Sequence, residues 1–254
     1  MAGRSAAGED RRRPVLGFAR AAHLPVQPAD HGRGRSPRPR DRPARRAQPR
    51  TAAHVRPVRI LSEPTLPMND HRLVEITPAT HRVEIDLVYA TDRNLTGKPI
   101  YRNAHCLLLE PAEAALRRAV EVAAQAGVTL RLYDAYRPPQ AQQVLWDFLP
   151  DPNFVADLGR GSNHSRGTAL DLTLVGANGA PLDMGTGFDA MVAASGHFHA
   201  GLPEHVQRNR LLLLGVMHAA GFAHIDSEWW HYELPGSRAL PQIDNAASGP
   251  WRLM

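Results

Sequence analysis

Cysteine is nearly absent: Cys106 is the single one in 254 residues, so no intramolecular disulfide can form. No apolar run reaches the roughly 20 residues that span a bilayer, and neither an HExxH motif nor a CxxC pair occurs. The disulfide-stapled secreted class is therefore excluded, and a reducing cytoplasm is the expected compartment. Cys106 itself, in the apolar run CLLL, reads as a small buried hydrophobe. With 43% hydrophobic residues the chain can bury a sizeable core as one or two domains.

Lysine is missing from residues 1–67, which instead hold 15 Arg, 10 of the 22 Pro and only 5 acidic residues. The remaining residues carry 15 basic and 20 acidic side chains, so the sequence pI near 10 describes the front alone. The folded remainder has no charge signature of a nucleic-acid or membrane partner. Runs such as GRGRSPRPRDRPARR cannot bury enough apolar surface to offset chain entropy, and 1–67 is expected to be a disordered extension. A basic nucleic-acid or membrane arm is a weaker reading, and so is a targeting peptide, whose apolar run after Arg13 is interrupted by Arg20, His23 and prolines. The favoured reading is an over-long frame whose true start is Met68, with 68–254 as one self-sufficient domain.

Within that domain, RVEIDLVYA (82–90), VTLRLYDAY (128–136), ALDLTLV (169–175) and WWHYEL (229–234) read as strands. Pro111 to Ala126, a second helix begun by Pro138-Pro139, and about Pro203 to Ala220 read as helices, with Gly127 and Gly221 as stops. The order does not repeat as βαβ units. The fold class is therefore α+β: a single compact domain with a mainly antiparallel sheet flanked by helices. In ALDLTLV the leucines occupy one face, and Asp171 points the other way, toward an open side of the sheet.

A zinc hydrolase needs three His or carboxylate ligands, one open position for water, and a separate base. His164 and Asp171 stand seven apart in GSNHSRGTALD, on a Gly/Ser/Asn loop and the strand it enters. The third ligand must come from a distant segment. His197 and His199 in SGHFHAG form a competing pair but lack a nearby carboxylate, whereas His231 in SEWWHYE has Glu228 beside it. Arg137, ahead of a Pro-started helix, reads either as a functional cation or as the partner of an acid such as Asp134.

Five stretches in order, YATDRNLTGKP, YDAYRP, SNHSRGTALD, DMGTGFD and SEWWHYE, make the chain resemble the zinc D-alanyl-D-alanine dipeptidases over nearly all of residues 82–234. The resemblance implies one zinc ion per subunit held by His164, Asp171 and His231. It implies Glu228 as general acid/base toward zinc-bound water, with Arg137 and zinc stabilising the carbonyl oxyanion. It also suggests that Ser162, Tyr89 and Asp189 line the pocket of a small dipeptide substrate, Asp189 facing its free ammonium. The implied reaction is hydrolysis of D-Ala-D-Ala to two D-alanines. A D,D-carboxypeptidase or endopeptidase acting on longer peptidoglycan stems is the alternative, and a zinc-holding protein without catalysis is a third reading.

One geometric conflict remains in the sequence. Residues three apart on a regular strand face opposite sides, so Glu228 and His231 cannot both aim at one ion if the strand begins at Ser227. Either the turn-prone IDSE segment curls Glu228 inward, or Glu233 is the base. The first alternative is favoured, with Glu233 orienting a ligand.

Overall fold

Alanines at Ala112, Ala115, Ala119 and Ala123 share a helical stripe with Leu116 and Val120, and this stripe is the buried side of a helix at Glu110–Gln125. Small side chains there let the helix lie close against the sheet and a neighbouring helix. The computed structural model describes residues 72–152 and 155–254. The expected extension 1–67 and the start at Met68 lie outside the described residues.

Among the described residues the chain passes through β1 (Leu73–Glu75), α1 (Pro78–His81), β2 (Glu84–Ile85), β3 (Leu107–Leu109), α2 (Glu110–Gln125), β4 (Thr129–Asp134) and α3 (Pro139–Phe148). It continues through β5 (Ala169–Val175), α4 (Glu204–Ala219), β6 (Ala223–Ile225) and β7 (Glu228–Glu233). Five strands form one sheet in the order β2-β4-β5-β7-β6, and β1 pairs with β3. Every pairing is antiparallel except β2 with β4. The α+β architecture with a mainly antiparallel sheet is thus as the sequence implies.

Leu170, Leu172 and Leu174 of β5 pack into the main core with Leu116 of α2, Leu213 and Met217 of α4, and Trp230. Each such leucine contributes about 1.5–3 kcal/mol relative to exposure. The guanidinium of Arg118 on α2 donates to the Ala220 carbonyl at 3.1 and 3.0 Å, which ties the end of α4 to α2. A second cluster gathers Tyr89, Tyr101, Leu107, Tyr136, Leu145 and Leu253. No helix among the described residues is long and apolar enough to cross a membrane.

Two expectations need correction. The strand over 82–90 is short: after Asp86 N–H donates to Leu132 O at 2.9 Å the chain leaves the sheet edge, and Val88–Ala90 form a 3-10 turn that buries Tyr89. The non-leucine side of β5 is not open, since all seven of its residues are buried. That side is covered by the segment carrying His164 and by Arg137, and it is where the polar residues gather.

Candidate active site

Strand register sets the first part of the site. Asp171 on β5 lies directly opposite His231 on β7 and opposite Asp134 on β4. Residues directly across neighbouring strands present their side chains to the same face. The β4–β5 register jumps from Leu132↔Leu172 to Asp134↔Asp171, so Tyr133 is passed over in a bulge. In a regular ladder Tyr133 would oppose Asp171 and Asp134 would turn to the leucine side; the extra residue brings Asp134 opposite Asp171 instead.

Asp134, fully buried, accepts a hydrogen bond from Tyr101 Oη at 2.7 Å and from Arg137 Nε at 2.8 Å. Burial pushes its carboxyl above the usual range, against the pull of Arg137 and His164. Arg137 also donates to Gln142 Oε1 at 3.1 Å and to Asp171 Oδ2 at 3.3 Å, and its guanidinium carbon stands 4.8 Å from the centre of the Tyr89 ring. Arg137 thus pairs with Asp134, as one sequence reading has it, and also reaches the Asp171 carboxylate. Gln142 and Tyr101 escaped the sequence reading. The one available signal for Gln142 was a polar residue on the inward side of α3.

His164 descends onto this row from a 3-10 turn at His164–Arg166. Its Nδ1–H donates to Ala135 O at 2.7 Å, which leaves Nε2 with a free lone pair aimed inward. That nitrogen is 3.1 Å from His231 Nδ1 and 3.3 Å from Asp171 Oδ1, and the last two atoms are 3.1 Å apart. Tetrahedral bonds of about 2.0–2.1 Å to a common ion require ligand atoms separated by about 3.3 Å. The triangle thus has the dimensions of one face of a metal's coordination tetrahedron, and among the described residues it is the group of His, Cys and carboxylate side chains suited to hold an ion. The far nitrogen of His231, Nε2, faces Glu233 Oε2 at 3.2 Å, so both imidazoles are oriented from behind by an acceptor.

The conflict over Glu228 disappears in the β6–β7 hairpin. A two-residue turn at Asp226–Ser227 precedes Glu228, and the register steps from Ile225↔Glu228 to His224↔Tyr232, leaving Trp229, Trp230 and His231 as an irregular insertion in β7. Parity is lost across that insertion. Burial pushes the half-buried Glu228 carboxyl up to about 7; His231 and Arg137 oppose the shift and Asp171 adds to it. The neighbouring Trp230 indole opposes the shift as well.

Tyr89 and Asp189 reach the site through Arg137. The Tyr89 hydroxyl donates to Asp189 at 2.8 and 3.1 Å, and burial pushes the Asp189 carboxyl up to about 7. Ser162 accepts from the His164 backbone N–H at 3.2 Å and lines a cleft of ≈ 310 Å³ together with Arg137, His164, His231 and Glu233. Tyr89, Asp189 and Glu228 are not part of that lining. His197 and His199 lie elsewhere: His197 is buried with Nε2 at 3.2 Å from Tyr232 Oη, and His199 is exposed.

Two imidazoles and a carboxylate with ligand atoms within 3.3 Å of one another, and a guanidinium bonded to that carboxylate, are parts of a metal-dependent hydrolase. The chain belongs to the D-Ala-D-Ala dipeptidase family of peptidases, whose family model matches residues 69–248. It is 50% identical over 171 residues to the D-alanyl-D-alanine dipeptidase of Escherichia coli (strain K12), covering 67% of this chain and 89% of that protein. It is 34% identical over 175 residues to the D-alanyl-D-alanine dipeptidase of Enterococcus faecalis (strain ATCC 700802 / V583), 61% of this chain and 87% of the relative. The protein of the same name from Streptomyces coelicolor is 36% identical over 170 residues, 59% of this chain and 84% of the relative.

Proposed function

We propose that this chain is a cytoplasmic zinc dipeptidase that hydrolyses D-Ala-D-Ala to two D-alanines, recycling wall-derived dipeptide or depleting a cell-wall precursor. His164, Asp171 and His231 would hold the zinc, and the observation that carries this is the triangle of ligand atoms 3.1–3.3 Å apart. Zinc there would supply a Lewis acid that polarises the scissile carbonyl and acidifies water. Glu228 takes a proton from the attacking water and returns it to the departing amine, a task suited to a carboxyl poised near 7. Arg137, held on three sides by Asp134, Gln142 and Asp171, donates to the oxyanion as the carbonyl becomes tetrahedral. Asp189, with the Tyr89 hydroxyl on it, pairs with the substrate's ammonium, and Ser162 lines the cleft beside His164. Glu233 keeps His231 in the tautomer that turns Nδ1 inward. A buried Cys106 thiol without a partner suits a reducing compartment.

The test is D-alanine release by the purified full-length chain, with metal content measured on the same sample. A chelator abolishes the activity, and Glu228→Gln lowers kcat by about 10²–10⁴ while zinc is retained. Full activity of the metal-free protein or of zinc-loaded Glu228→Gln would refute the proposal. Comparing the dipeptide with a stem pentapeptide tests the substrate: a higher kcat/KM on the pentapeptide would make the chain a D,D-carboxypeptidase instead.

A further inference from the structure

Arg210 on α4 is fully buried, and its hydrogen-bond partners are backbone carbonyls instead of a carboxylate. Nε donates to Met184 O at 2.8 Å, Nη2 to Ala194 O at 2.8 Å and Nη1 to Gly196 O at 2.6 Å. These carbonyls stand at the two ends of one segment, whose tip carries Phe188 and Asp189. A buried guanidinium is costly unless every donor is used, whereas Leu or Met would fill the same space without that cost. What the planar fork adds is geometry: it fixes three acceptors relative to one another.

Further contacts serve the same segment. Asn209 Nδ2 donates to Asp183 O at 2.8 Å, and Trp229 Nε1, next to Glu228 in the chain, donates to Thr186 Oγ1 at 2.9 Å. Gly185 has φ +81°, and a Cβ there would stand 2.9 Å from Val206 Cγ1, so α4 lies directly against the segment. At the tip, Asp189 has φ +58°, a conformation that a non-glycine residue keeps only when its surroundings impose it.

We infer that Arg210 is a positioning residue for substrate binding: by stapling both ends of the 184–196 segment it holds Asp189 where the substrate's ammonium group arrives, without touching the substrate. The inference rests on the reading of Asp189 given under Proposed function. It adds a residue 21 positions further along the chain, on a different element, to the specificity for a free amino terminus.

The experiment uses the zinc-loaded full-length chain and the variants Arg210→Met, Arg210→Lys, Asp189→Asn and the double variant Arg210→Met/Asp189→Asn. Steady-state kinetics on D-Ala-D-Ala are paired with hydrogen exchange of peptides covering 183–197. Arg210→Met raises KM about tenfold with kcat within about threefold, the signature of lost ground-state binding. Exchange quickens in 183–197 and stays unchanged in 169–175, and Arg210→Lys recovers part of the KM. In the Asp189→Asn background, Arg210→Met adds almost nothing to KM, because both changes remove the same interaction. Additive KM effects, or an Arg210→Met protein with unchanged KM, overturn the inference. If Arg210→Met does not fold, the same cycle built with Arg210→Lys supports or overturns it by the same criteria. Asp189→Asn with unchanged KM would instead remove the reading of Asp189 itself, a result distinct from failure at Arg210 alone.

Discussion

Arg137 touches Asp134, Gln142 and Asp171 through three different nitrogens, with the Tyr89 ring against its face. An ammonium on a flexible stem cannot meet all of these at once. Arg137→Lys is therefore expected to lower kcat by about 10²–10³, with zinc content unchanged on metal analysis. A second residue-scale prediction concerns protons. Burial works against a charged His231, but hydrogen bonds to Asp171 and Glu233 raise the metal-free imidazole to about 10. A cation must displace that proton at every lower pH, so apparent zinc affinity should rise as pH rises. Glu228 and Asp189, both raised to about 7, act in the same direction. Their contribution to the metal-free fold is full below their unfolded pKa values and lost as pH climbs through about 7. The Tm increase caused by zinc should accordingly be larger at about pH 7.5 than at about pH 5; an equal or smaller increase at the higher pH would contradict this.

At the scale of elements, β3 is the strand that braces the site. Leu107 O accepts from Tyr136 N–H at 2.8 Å, next to Arg137, and Leu109 N–H donates to Gly167 O at 2.8 Å, at the end of the His164 turn. In the sequence this strand is only the apolar run CLLL, too short to show a period, so its bracing role was illegible. Gly167 has φ +69°, and a Cβ there would stand 3.0 Å from Leu73 Cδ2 and 3.1 Å from Leu109 N. Gly167→Ala should cost about 2 kcal/mol and lower Tm by about 4–8 °C, measured by calorimetry on the zinc-loaded protein. Helices α2 and α4 were legible because a stripe of apolar residues and a glycine stop are local signals. The β4 bulge was not, since nothing in YDAYRP says that Asp134, and not Tyr133, will oppose Asp171.

For the whole molecule, residues 1–67 carry the excess positive charge, while the family match begins at residue 69. A chain comprising residues 68–254 is expected to keep kcat/KM within about threefold of the full-length protein in a D-alanine release assay; a larger loss would give the basic front a role in the reaction. Residue types and local periods settled much before any fold was known. Two histidines, two acids and an arginine of the kinds a hydrolytic zinc site needs were visible, as was the face of β5 that carries Asp171. Those features depend only on side-chain chemistry and on repeats of 2 and 3.6 residues. The tertiary structure decided the rest. The separations of 3.1–3.3 Å among His164, Asp171 and His231 come from cross-strand register and a loop laid over it. The placement of Glu228 comes from a hairpin and an irregular insertion, and the carbonyls of Met184, Ala194 and Gly196 are gathered by a guanidinium on α4. Each joins segments far apart in the chain, and the energy that selects them is packing and hydrogen bonding between those segments, which no local window of sequence contains.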